Sequence, residues 1–227
     1  NEDKLNRRGR ITPKEFVQEY VTIEWDSMVC LVNDPRNEYY ACYSVDRLDN
    51  MVGGEPVKYL NIPIQDMKDV ARQHLDDGIC VWMGCDVGKS FSRDKGIWHT
   101  QLVEPGHFYG IAPFMNQMTK AERLKHGDSM MTHAMLFTGV DVVDGEIKKW
   151  RVENSWGSEG GIKGFYTMDD GWFDEHMFEI SSLPKYLTAE MVEALKKEPI
   201  VLPAWDPMGS LANEEALQYQ LQHGFDL

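Results

Sequence analysis

At 227 residues, 42% hydrophobic and 26% charged, the chain is long enough for one substantial core and has the composition of an ordinary globular protein. Its formal charge of −14 argues against a surface that grips a phosphate backbone, and no apolar run approaches the ~20 residues needed to span a bilayer. Four cysteines are too sparse for a disulfide scaffold, and there is no signal-like start and no Asn-x-Ser/Thr acceptor, so a cytoplasmic, reducing compartment is expected.

Lys4, Arg7, Arg8 and Arg10 make a basic lead-in, read as solvated. Thr12, Pro13 and Glu15 combine a capping box with proline at the first helical position, so a helix is expected from there to about residue 20. Strand-like pieces follow at 28–32, 39–45 and 56–62. Residues 65–77 carry Met67, Val70, Ala71, His74 and Leu75 on one face and stop at Gly78, which predicts an amphipathic helix with His74 as packing. A buried strand is expected at 79–84, with Cys80 and Cys85 as small hydrophobes; Cys30 and Cys42 have the same look. Residues 88–110 read as a long glycine-punctuated segment whose His99 and His107 lack zinc-ligand spacing, so no metal and no cofactor is expected. Thr119 and Glu122 form a second capping box, opening a helix that Gly127 ends. Beyond the hairpin treated next, strands are expected at 165–168 and 176–180, a helical turn at 172–175, and a helix over 188–197 capped by Thr188.

The chemistry concentrates at 131–157. The stretch 131–143 is apolar and rich in β-formers, Asp144-Gly145 is a strong hairpin turn signal, and the return strand alternates Trp150, Val152 and Asn154 with Lys149, Arg151 and Glu153. A two-residue turn there sets His133 opposite Trp156 and Met135 opposite Asn154. His133 and Asn154 then become diagonal neighbours on one face, about 7–8 Å apart at the backbone and within reach of an amide-to-imidazole bond. A cysteine thiol is a poor nucleophile until ionised; an imidazole held by a neutral amide can take its proton, and an indole over the pair keeps water away. His133 is therefore the expected general base, Asn154 its orienter and Trp156 the shield.

Met130-Met131-Thr132-His133-Ala134-Met135 and Lys149-Trp150-Arg151-Val152-Glu153-Asn154-Ser155-Trp156-Gly157 resemble the bleomycin hydrolase and aminopeptidase C branch of the papain-like cysteine peptidases. So do the runs at 11–16, 59–63, 81–89 and 198–209; the resemblance extends from about Ile11 to Ala212. It implies an α+β fold: the C-terminal part of a papain-like domain, with an antiparallel, barrel-like half and flanking helices. In that family the nucleophilic cysteine lies in a Gln-x-x-x-x-x-Cys-Trp type run that precedes the equivalent of Asn1. Nothing here matches that run, and none of the four cysteines has its context.

The chain is accordingly read as a lead-in or linker (1–10), the C-terminal part of the peptidase domain (11–212) and an extension (213–227). The resemblance implies peptide substrates with a free N-terminus, a partner half carrying the cysteine and a hexameric homo-oligomer; it also brings an association with nucleic acid, which the acidic charge weighs against, and the lack of a long apolar run argues against a membrane. In the family the terminal carboxylate projects into the cleft; the extension after Ala212 is expected to plug that cleft or be trimmed. Two alternative readings stand beside it: a non-catalytic homologue acting as a binding or assembly module, and an oligomer that binds nucleic acid through the basic residues Lys4 to Arg10, which predicts binding that weakens steeply with salt.

Overall fold

The computed structural model describes residues 8–22, 27–49, 51–102, 104–111 and 117–209. Lys4, Arg7 and the extension 213–227 therefore lie outside the described residues. Helix α1 (Pro13–Tyr20) begins where the capping box directs: the Thr12 amide donates to Glu15 Oε2 at 2.7 Å, and Thr12 Oγ1 accepts from the Glu15 amide. None of its side chains is buried.

Among the described residues the body is an eleven-stranded mixed sheet, ordered β11-β2-β3-β1-β10-β4-β7-β8-β9-β6-β5. The strands are β1 (Val29–Val32), β2 (Ala41–Val45), β3 (Tyr59–Asn61), β4 (Val81–Cys85), β5 (Phe91–Ser92), β6 (Ile97–Trp98), β7 (His133–Val143), β8 (Glu146–Glu153), β9 (Phe165–Asp169), β10 (Met177–Ser182) and β11 (Ile200–Leu202). The central run from β1 to β9 is antiparallel throughout, as expected. Parallel pairs flank it, β1 with β3, β11 with β2 and β6 with β9. The short β5, β6 and β11, and helix α3 (Pro105–Tyr109), were not expected from the sequence.

Strand alternation feeds two cores, one on each side of the sheet. Leu31, Leu60, Met83, Met135, Phe137, Trp150 and Val152 enter the larger one, which α2 (Ile64–Asp76) covers with Met67, Val70 and Ala71. Val32, Tyr43, Tyr59 and Phe178 enter the smaller, which is sealed by Leu124 of α4 (Lys120–Lys125) and by Met208. Lys68 ties α2 to α5 (Asp170–His176) through Asp170 at 2.7 Å and Asp174 at 2.6 Å. Among the described residues no helix is long and apolar enough to cross a membrane.

The β7–β8 hairpin closes at Asp144 (φ 53°) and Gly145 (φ 84°), the paired positive dihedrals of a type I′ turn. Val143 pairs with Glu146 and Val142 with Ile147; then Lys148 is passed over and Asp141 pairs with Lys149. Further on Thr138 is passed over and Phe137 pairs with Val152. One extra residue on each strand cancels the other, so Leu136 faces Glu153 in the register of an uninterrupted hairpin. The ladder ends there, before it reaches His133 and Trp156.

Candidate active site

His133 opens β7 and shares the face of Met135 and Phe137, both buried in the larger core. Asn154 follows β8, and its backbone N–H leaves the ladder to bond Gly164 O at 3.1 Å. That return is tight enough that a Cβ on Gly164, whose φ is +87°, would sit 2.9 Å from Gly157 O. Only glycine fits. The turn brings the Asn154 carboxamide to the imidazole, with His133 Nε2 and Asn154 Oδ1 3.0 Å apart.

Asn154 Oδ1 also accepts the Ser155 amide at 2.8 Å, which fixes which end of the carboxamide faces the ring. An amide oxygen only accepts, so Nε2 must carry the proton. Nδ1 is then the nitrogen that can take a proton from a partner. Asn154 is buried, and its Nδ2 has no hydrogen-bond partner among the described residues.

Trp156 reaches the imidazole from the turn rather than as a ladder partner; the ring centroids are 4.9 Å apart and the planes tilted by 31°. Its indole is 38% exposed, so it covers the pair on one side and faces solvent on the other. Phe91 and Tyr166 flank it at 6.2 and 6.4 Å. The guanidinium of Arg93 lies over it, 5.6 Å from the ring centroid. Phe91 and Arg93 come from the segment read only as glycine-punctuated. Two-residue strands leave no periodicity by which sequence reading finds them.

No cysteine of this chain offers His133 a ready thiolate. Cys85 stands directly opposite His133 across the β4–β7 ladder, yet it is fully buried. Burial, reinforced by Asp86, holds its thiol well above the ordinary range. Cys30 is pushed up to about 12 by burial and by the charge and hydrogen bond of Glu179. Burial raises Cys42 as well. Cys80 corrects the sequence expectation, because it is exposed rather than buried. Five residues along the chain from Cys85, it stands roughly 16 Å from the imidazole's strand partner at the usual rise of a strand.

The other histidine on the helix stripe packs as expected: His74 Nε2 is 3.1 Å from Ser182 Oγ, and its ring lies 4.0 Å from that of Tyr186. Among the described residues no group of three or more His, Cys, Asp or Glu is placed to hold a metal ion. An apolar groove lined by Met28, Cys30, Trp82 and Leu136, with Glu179 in its wall, shares Trp82 and Leu136 with the cleft that Asn154 and Ser155 border.

Residues 1–209 match the Peptidase C1-like family. The chain is 41% identical to aminopeptidase C of Listeria monocytogenes over 93% of its length and 48% of that protein's. It is 46% identical to human bleomycin hydrolase over 90% of its own length and 46% of that protein's. The crystal structure of PepW from Lactobacillus rhamnosis superposes with a TM-score of 0.83 at 42% identity, covering 87% of this chain and 45% of that one. The chain thus spans about half the length of the relatives it matches.

Proposed function

Because the chain belongs to the peptidase C1-like family, we propose that it carries the general base and its orienting amide for a cysteine-type aminopeptidase whose nucleophilic thiol comes from the part of the protein preceding it. The observation that carries this reading is the His133–Asn154 contact at 3.0 Å beneath Trp156. With Nε2–H given to the amide oxygen, Nδ1 takes the thiol proton. The thiolate attacks the scissile carbonyl, and the imidazolium then protonates the departing nitrogen. A neutral amide serves better here than a carboxylate, because it orients the ring without drawing the proton away from the sulfur pair.

Several further features come with the proposal: substrates with a free amino terminus, a hexameric assembly and a cytoplasmic setting. The names of the relatives, aminopeptidase C and bleomycin hydrolase, support the first, and four unpaired cysteines support a reducing compartment. The test is hydrolysis of an aminoacyl-coumarin by the full-length protein. Turnover should be abolished by a thiol alkylator, fall about a hundredfold or more in H133A, and fall less in N154A, where the base remains but loses its holder. An acyl-blocked substrate should be cleaved poorly. The 227-residue chain alone should cleave neither. Thiol-dependent turnover by this chain alone would overturn the assignment of the nucleophile to the preceding part, and alkylator-insensitive turnover by the full protein would overturn the chemistry.

A further inference from the structure

Arg93 is exposed, sits in the turn between β5 and β6, and makes no ion pair among the described residues. Its guanidinium lies 5.6 Å from the centroid of Trp156, whose own ring is 4.9 Å from the imidazole of His133. A cation thus lies two ring contacts from the proposed general base, on a chain whose formal charge is −14. Negative charge on this part of the protein opposes anionic substrates, so a local cation beside the site alters which ones are accepted.

We propose that Arg93 determines specificity on the leaving side of the cleft, binding a carboxylate of the departing fragment two or three residues beyond the scissile bond. The inference rests on the proposed function above. The imidazole that protonates the departing nitrogen must come within hydrogen-bond distance of it, so the fragment runs out past the groups packed on that imidazole. The exposed indole of Trp156 is such a group, and the guanidinium of Arg93 lies over it, where a fragment leaving along that side meets it. An extended chain advances about 3.3 Å per residue, which brings the second or third departing residue to Arg93. A planar guanidinium binds a carboxylate through two parallel N–H bonds while still lying on the aromatic face. That carboxylate comes either from the free C-terminus of a short peptide or from an acidic side chain of a longer one.

Two substrate pairs separate these sources in the full-length enzyme. The first compares a tripeptide as free acid and as amide; the second compares a longer amidated peptide with Glu or Gln at the second residue after the cut. The wild type should favour the anionic member of at least one pair. In that pair the acid-to-neutral ratio of kcat/KM should fall about tenfold in R93Q, fall below one in R93E, and be partly kept in R93K. The preference should also shrink as salt is raised. Ratios equal in wild type, R93Q and R93E for both pairs would overturn this inference while leaving thiol-dependent turnover in place. Absence of turnover in the wild type would overturn the proposed function, and this inference with it.

Discussion

An imidazole and a thiol side by side do not make a nucleophile when the thiol is dry. Cys85 and His133 are direct strand partners, yet the sulfur is fully buried and its ionisation is opposed by that burial and by Asp86. Cys80 has the opposite situation, exposed but remote from the imidazole. Reactivity in this chain should therefore be inverted relative to proximity. A brief iodoacetamide pulse at neutral pH followed by peptide mapping should label Cys80 first, with Cys30, Cys42 and Cys85 labelled far more slowly. Labelling of Cys85 ahead of Cys80 would mean that His133 ionises its strand partner, and the nucleophile would then have to be sought within this chain.

At the level of elements, the parts legible in the sequence are those whose local chemistry and tertiary role agree. Both capping boxes start their helices, α2 buries Met67, Val70, Ala71 and His74, and Asp144-Gly145 makes the expected turn. The His133–Asn154 contact was legible through that turn, although not through an unbroken ladder. The cancelling irregularities at Thr138 and Lys148 leave the His133 end of the hairpin in the register that simple counting gives. What the sequence did not show was set by packing alone. The β5–β6 ribbon exists because Phe91 stacks on Trp98 at 4.5 Å and Trp98 meets Tyr166 at 5.2 Å, and β11 exists as a parallel addition to β2. The turn is the testable element, because Gly145 at φ +84° has a conformation that a branched side chain resists. G145V should cost roughly 1–2 kcal/mol, a Tm loss of roughly 2–8 °C, whereas G145N should cost clearly less because asparagine tolerates that region. Equal melting of the two variants and the parent would show that the hairpin is held by its strands and not by its turn.

Across the whole molecule, burial on both sides of the sheet traps ionisable groups in their neutral forms, with opposite consequences for stability. Burial, then the charges of Arg123, Lys120 and Lys89, pushes His176 down to about 3; burial, then Lys185, pushes His74 down to about 4. Between those values and the ordinary 6.5 the unfolded chain binds the protons that the folded chain refuses, so each histidine makes stability rise with pH. Glu179 works the other way. Burial lifts it from 4.5 to about 7, against a smaller lowering by the hydrogen bond from Cys30, so in that window the folded chain holds a proton that the unfolded chain has lost. Its contribution is therefore fully present below about 4.5 and is lost as pH rises through about 7. E179Q keeps a neutral side chain of similar shape and removes this titration. Urea unfolding of the two proteins should give nearly matched stabilities at pH 4.5 and a gap in favour of E179Q that grows to the order of 3 kcal/mol by pH 8. Parallel stability curves from pH 4.5 to pH 8 would mean that Glu179 reaches water or a cation in solution, and that the groove it walls is wetter than its apolar lining of Met28, Trp82 and Leu136 implies.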